Sequence, residues 1–140
     1  MAQPNLPAVT AIVVAAGASR RMGFDKLSYR LPDGRTVLET SCAALAAHPA
    51  ITQLVLVCGG NRAACEAMAA ACPKPCAVVQ GGATRADSVR NGLAAATGEL
   101  VAIHDAARPF VSESVITAAL TAAAETGAAA PAVPVKDTVK

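Results

Sequence analysis

The chain has 140 residues, of which 54% are hydrophobic and 16% charged, and its formal net charge is +2. This length fits one domain, the apolar content argues against disorder, and the balanced charge argues against a nucleic-acid or membrane-surface partner. The apolar run Ala8–Ala18 is shorter than the roughly 20 residues that cross a bilayer, and no Lys or Arg precedes it as in a signal peptide. We therefore expect a cytoplasmic protein.

The apolar pattern alternates between strands and helices along the whole chain. The predicted strands are Val9–Ala15, Gln53–Cys58, Ala77–Gln80 and Leu100–His104, with a weaker edge or irregular strand at Ala129–Val135, where Pro131 and Pro134 interfere. The predicted helices span about Thr36–Ala47, Arg62–Ala71, Thr84–Ala96 and Ser112–Thr126. The starts of three helices are supported by the capping boxes Thr36/Glu39 and Thr84/Asp87 and by the N-cap residue Ser112. The end of the last helix is supported by Gly127. This order predicts an α/β fold with a mainly parallel sheet.

The five cysteines are odd in number and form no CxxC pair with a nearby His. Cys65 and Cys72 are seven residues apart and would share one helix face. We therefore expect small core residues and no redox or metal role.

Three predicted loops follow strand ends and hold most of the Gly, Arg and Asp residues. They are Ala16–Lys26, Gly81–Arg85 and Asp105–Val111. In open α/β sheets ligands bind beyond the carboxyl ends of the strands. The three loops are therefore expected to form one site.

The first loop combines small residues with positive charge. The small residues allow the backbone to approach a phosphate, and their N–H groups can form an anion-binding nest; they are Ala16, Gly17, Ala18 and Ser19. Arg20, Arg21 and Lys26 add charge for a polyphosphate. Neither the dinucleotide fingerprint nor the Walker motif matches. The alternative is a basic surface loop, which is the better interpretation for Arg20 alone.

The other two loops allow two interpretations each. The glycines of Gly81–Val89 would let a base or ribose approach, but a well-capped helix start explains the same residues. In His104–Pro109, a carboxylate at Asp105 suits Mg²⁺ together with phosphate oxygens; a cap or an ion pair with Arg108 is the weaker alternative. For His104 a structural hydrogen bond is the better interpretation.

The segment AAGASRRMGFDK resembles the signature of nucleotidyltransferases with a glycosyltransferase-A-like Rossmann fold, which molybdopterin cytidylyl- and guanylyltransferases share. GG-x-x-RADSV, HDAARP and PVKDTVK narrow the resemblance to the 2-C-methyl-D-erythritol 4-phosphate cytidylyltransferase family of the non-mevalonate isoprenoid pathway, over about Ala11–Lys140. The resemblance implies a Rossmann-like three-layer sandwich. Residues 1–140 would be the CTP-binding nucleotidyltransferase domain, C-terminally truncated, because the chain ends just after a predicted strand without a closing helix.

The resemblance also implies the partners and the site residues. CTP and a small phosphorylated polyol would be the substrates, Mg²⁺ the cofactor, and the full-length protein a homodimer. Arg21 and Lys26 would be catalytic, Asp105 would bind Mg²⁺, and Arg108 and Thr138 would serve the acceptor. The nucleotide contacts would come from Ala15, Ala16, Gly17, Ala18, Ser19, Gly82, Ala83, Ser88 and Ala106.

The chain departs from the family pattern at two positions. Ala83 stands where an acidic residue is usual, and Asp25 replaces the Pro that often precedes the lysine, as in the molybdopterin branch. Three alternatives stay open: a ribitol 5-phosphate cytidylyltransferase, a molybdopterin cytidylyltransferase, and a non-catalytic nucleotide-binding fragment.

Overall fold

The computed structural model describes residues 5–17 and 25–133, and their framework is a four-stranded parallel sheet. The strands are β1 (Val9–Ala15), β2 (Ile51–Cys58), β3 (Cys76–Gln80) and β4 (Leu100–Asp105), in the spatial order β3-β2-β1-β4. The helices are α1 (Val37–Ala46), α2 (Arg62–Ala71), α3 (Arg85–Ala95) and α4 (Glu113–Thr126), and a 3₁₀ turn spans Lys26–Ser28. The predicted α/β fold with a parallel sheet is confirmed.

Helices cover both faces of the sheet and make a three-layer sandwich. On one face, alternate β1 residues from Val9 to Ala15 join a core with α1, α2 and α4. On the other face, Ile12 and Val14 pack with residues of β2 and α3. Since successive side chains of a strand point to opposite faces, the fully buried β1 supplies both cores, as its continuous apolar run predicted.

The direction of winding reverses between β1 and β4. From β1 the chain moves outward through β2 to β3, with α1 and α2 against one face. It then returns by way of α3 on the opposite face and places β4 beside β1. Right-handed crossovers require this change of face when the direction of travel along the sheet reverses. The carboxyl ends of β1 and β4 therefore flank a topological switch point, where open α/β sheets bind ligands.

Most of the predicted helix signals are confirmed. Thr36 and Glu39 form both bonds of a capping box at α1. Ser112 caps α4, and Gly127 ends it with a left-handed φ of 96°, which favours glycine. The box at α3 is half formed: Thr84 accepts from the Asp87 N–H, but the Asp87 carboxylate accepts from the Thr84 hydroxyl and Arg90 instead of from the Thr84 N–H.

The predicted fifth strand at Ala129–Val135 is wrong over residues 129–133, which are exposed and form no strand, and its last two residues lie outside the described part. Pro131 lacks the N–H that would donate to a neighbouring strand, so it disfavours pairing there.

The cysteines are free thiols, and all five contact the main core. Burial raises the pKa of Cys65 to about 11 and that of Cys76 to about 12, with neighbouring thiols adding to the effect. Thiols that stay protonated at neutral pH are poor nucleophiles. Their structural interpretation fits these surroundings.

No helix in the described ranges combines the length and apolar character needed to traverse a membrane.

Candidate functional site

The tip of β1 lies between the tips of β2 and β4. The strand registers pair Ala15 with Cys58 of β2, and Val14 with Asp105 of β4. Ala16 and Gly17 then leave the strand at the switch point. The start of the predicted phosphate loop and the predicted metal carboxylate are thus brought to adjacent strand ends.

Ala16 is closely surrounded by two glycine turns. A Cβ added at Gly59 would lie 2.9 Å from the Ala16 carbonyl oxygen, and one added at Gly81 would lie 2.6 Å from the Ala16 Cβ. The exposed Gly17, by contrast, has no atom within 4 Å of such a Cβ. The chain therefore packs tightly up to Ala16 and opens toward solvent at Gly17.

The loop after β3, residues 81–84 (the β3 loop), is held to the first turn of α3 by Ser88. Its side chain is 3% exposed, and its hydroxyl accepts a 3.1 Å hydrogen bond from the Gly82 N–H. A Cβ at Gly82 would lie 2.4 Å from that of Asp87, so only glycine fits there. The neighbouring Ala83 is exposed. Ser88 therefore shapes the turn, and it keeps its hydroxyl proton available for donation.

The loop after β4, residues 106–112 (the β4 loop), is held by polar side chains at the end of that strand. Asp105 Oδ1 accepts from the Ala107 N–H at 3.1 Å, and His104 Nε2 donates to the Arg108 carbonyl oxygen at 2.8 Å. His104 thus has the predicted structural role. Arg108 is exposed, and in the part of the chain that the structure describes it forms no ion pair with Asp105.

Ala106 anchors the base of the same loop. It is fully buried, its N–H donates to the Val14 carbonyl, and its carbonyl accepts from the Ser41 hydroxyl at 2.7 Å. Its backbone groups are therefore committed to protein partners. Any effect of Ala106 on a nucleotide would come from packing.

Lys26 is exposed at the start of the 3₁₀ turn, which Asp25 caps. Asp25, Leu27 and Ser28 of this turn line one cavity together with Asn61. The Lys26 turn therefore lies on the side of the molecule where Asn61 meets the β1 tip. Arg20, Arg21, Ala18, Ser19 and Thr138 lie outside the described residues.

Asn61 was not predicted from the sequence. Its Nδ2 donates to the Ala15 carbonyl at 3.1 Å, and its Oδ1 accepts from the Gly59 N–H at 2.9 Å. It therefore joins the tips of β1 and β2. The signal was the sequence Gly59-Gly60-Asn61 directly after a strand, a composition similar to that of the other loops at strand ends.

The described residues contain no cluster of three or more His, Cys, Asp and Glu that could enclose a metal ion. A Mg²⁺ site does not need a cluster of this kind, because one or two carboxylates suffice when substrate phosphates and water complete the coordination shell of the ion. Asp105 fits this demand: it is half-buried at the switch point, and Oδ2 accepts no hydrogen bond from the described residues.

A parallel sheet that winds in both directions from β1, with small residues and a carboxylate at the switch point, defines a Rossmann-like α/β protein. The family profile of IspD, 2-C-methyl-D-erythritol 4-phosphate cytidylyltransferase, matches residues 9–140. The chain belongs to this family.

Comparisons with individual relatives support the same family assignment. The chain is 47% identical over 133 residues to the bifunctional enzyme IspD/IspF of Anaeromyxobacter dehalogenans, covering 94% of this chain and 34% of that protein. It is 39% identical over 140 residues to the 2-C-methyl-D-erythritol 4-phosphate cytidylyltransferase of Alkaliphilus metalliredigens, covering 94% and 58% respectively. The crystal structure of the Thermus thermophilus cytidylyltransferase superposes with a TM-score of 0.71 at 33% identity, covering 94% of this chain and 57% of that one. The chain thus spans about a third to three fifths of the length of these relatives.

Proposed function

We propose that the protein transfers CMP from CTP to 2-C-methyl-D-erythritol 4-phosphate and releases pyrophosphate. A phosphate oxygen of the acceptor attacks the α-phosphorus of CTP, and the bond from that phosphorus to the bridging oxygen of the β-phosphate breaks. The product is 4-diphosphocytidyl-2-C-methyl-D-erythritol, in the non-mevalonate isoprenoid pathway. The observation that carries the proposal is the juxtaposition of Ala16–Gly17 with Asp105 across the switch point, in a chain of this family.

The phosphates of CTP are proposed to lie over the β1 tip. There the N–H groups of the loop from Ala15 to Ser19 hold the anion, and Arg21 and Lys26 stabilise the charge that develops at the attacked phosphorus. Asp105 would hold Mg²⁺, which supplies further neutralisation of phosphate charge when bound. Arg108 and Thr138 are proposed to bind the acceptor.

The cytidine is proposed to reach toward β3. The β3 loop is three strand spacings from β4, about 14 Å at ~4.8 Å per spacing, which leaves room for an extended nucleotide between Asp105 and Gly82. Gly82 and Ala83 would contact the base or ribose through the backbone, and Ser88 through its hydroxyl proton or through the shape of the turn. Ala106 would support, by packing, the base of the site between Asp105 and Gly82.

The test is pyrophosphate release by the full-length gene product with CTP, Mg²⁺ and a panel of three acceptors. We expect turnover with 2-C-methyl-D-erythritol 4-phosphate, and little with ribitol 5-phosphate or molybdopterin. Preference for either of those acceptors would assign the site to a sister enzyme. CTP binding without turnover on any acceptor would make the protein a nucleotide-binding module.

Asp105→Asn tests the metal assignment. Loss of a charged ligand should raise the Mg²⁺ concentration for half-maximal rate about ten-fold or more. Glu99→Gln, at the opposite end of β4, is the matched control and should leave this concentration unchanged. If the two variants respond to Mg²⁺ alike, Asp105 does not hold the metal. We further propose a homodimer, which sedimentation of the full-length protein would test, and a cytoplasmic location, which cell fractionation would test.

A further inference from the structure

Among the described residues, Asp25 holds the turn that carries Lys26 from its N-terminal side. Oδ1 of Asp25 accepts from the Leu27 N–H at 3.1 Å, and Oδ2 accepts from the Ser28 hydroxyl at 2.6 Å. The Asp25 carbonyl also accepts from the Ser28 N–H at 3.1 Å. A single 3₁₀ turn has little intrinsic stability, so these bonds contribute much of its order.

The other side of the turn is anchored independently. Leu27 is 6% exposed within the main core. The carbonyl of Tyr29 accepts from the Val37 N–H at 3.0 Å, and Arg30 pairs with Thr36 in an isolated bridge. The backbone just after Lys26 is thus fixed to α1. Lys26 lies between the Asp25 cap and this anchor, and its carbonyl accepts from the Tyr29 N–H at 3.3 Å.

The negative charge of Asp25 is unfavourable for a position next to Lys26 and the proposed phosphate site. A carboxylate beside a proposed polyphosphate site opposes anion binding by Coulomb repulsion. The hydrogen bonds of Asp25 offer an explanation, because its carboxylate holds the turn at a backbone φ of −77°.

We propose that Asp25 is a positioning residue, which acts by fixing the turn from which Lys26 reaches the phosphates of the nucleotide. This inference rests on the proposed function, since it needs Lys26 to act in nucleotidyl transfer. The acceptor atoms of Asp25 carry the effect and its negative charge does not. Asparagine keeps an acceptor in the same place and should therefore substitute for it.

The experiment measures kcat and the KM for CTP in the full-length gene product. Asp25→Ala should lower kcat about five-fold, the factor equivalent to a lost cap of ~1 kcal/mol, with KM changed less than about two-fold. Asp25→Asn should retain most of kcat. Ser28→Ala removes one of the two side-chain bonds and should give a smaller loss, which keeps the test available if Asp25→Ala folds poorly.

Asp33→Ala is the matched control, because Asp33 Oδ1 caps the next turn by accepting from the Arg35 N–H at 3.0 Å. It removes the same kind of bond from an exposed loop without touching the Lys26 turn. Its kcat should equal that of the unaltered enzyme, and its melting temperature should fall about as much as that of Asp25→Ala.

A double-mutant cycle with Lys26→Ala decides the mechanism. Lys26→Ala alone should lower kcat on the order of a hundred-fold, and Asp25→Ala should have no further effect in that background. An equal kcat loss from Asp25→Ala in both backgrounds would overturn the positioning role, as would an Asn variant as slow as the Ala variant. An unchanged kcat in Lys26→Ala would instead refute the proposed role of Lys26 itself.

Discussion

Replacing Gly81 with alanine probes how closely the β3 loop must approach the β1 tip. The new Cβ would lie 2.6 Å from the Ala16 Cβ, 2.9 Å from Ser88 Oγ and 3.1 Å from the Cys58 carbonyl oxygen. A methyl group and a backbone carbonyl cannot rotate away, so the loop must shift. Overpacking of this kind costs about 1–3 kcal/mol, and disturbing the hydrogen bond to the buried Ser88 hydroxyl adds about 1 kcal/mol. We expect the free energy of unfolding to fall by roughly 2–4 kcal/mol.

Urea denaturation measures this loss as a lower midpoint at an unchanged slope, and CTP titration should show weaker binding in the same variant. Gly60→Ala is the control, because Gly60 is exposed in the neighbouring loop and a Cβ there has no atom within 4 Å. That change should be neutral or stabilise by up to about 1 kcal/mol, through lower entropy of the unfolded chain. Equal midpoints for the two variants would refute the close packing of Gly81 against Ala16.

Two further predictions concern α1 and the turn that follows it. Thr36→Ala removes the capping box formed with Glu39 and should lower the free energy of unfolding by about 1 kcal/mol in urea denaturation; an unchanged midpoint would contradict it. His48 is 1% exposed, and its Nδ1 accepts from the Ala50 N–H. Burial lowers the pKa of His48; the positive charge of Lys74 lowers it further, and the negative charge of Glu113 acts in the opposite direction. The unfolded chain then binds the proton more readily, so stability should fall as pH drops below about 6.5. His48→Gln should show a smaller fall between pH 7 and 5.5, and equal pH dependence would refute the assignment.

Local signals in the sequence were sufficient for the four strands of the sheet and the four helices, within a few residues at their ends. The run Val9–Ala15 became β1 with the predicted bounds, and the caps at Thr36 and Ser112 became helix starts. These features depend on side chains within a few residues of one another, which a single sequence displays directly. The same local reasoning placed a strand over residues 129–133, where pairing requires a partner edge that no local pattern specifies.

The position of the candidate site needed the tertiary structure. The sequence alone indicated that small residues after β1 and Asp105 after β4 were suited to phosphate and metal, but it carried no information on which strands are neighbours. Their adjacency follows from the β3-β2-β1-β4 order, which long-range packing on the two faces of the sheet determines. Asn61 shows the same limit, since its bonds to Ala15 and Gly59 exist only once β2 lies beside β1. Sequence by itself therefore determined the chemistry available in each loop, and only the folded sheet decided which loops share one site, because strand pairing joins residues that are dozens of positions apart.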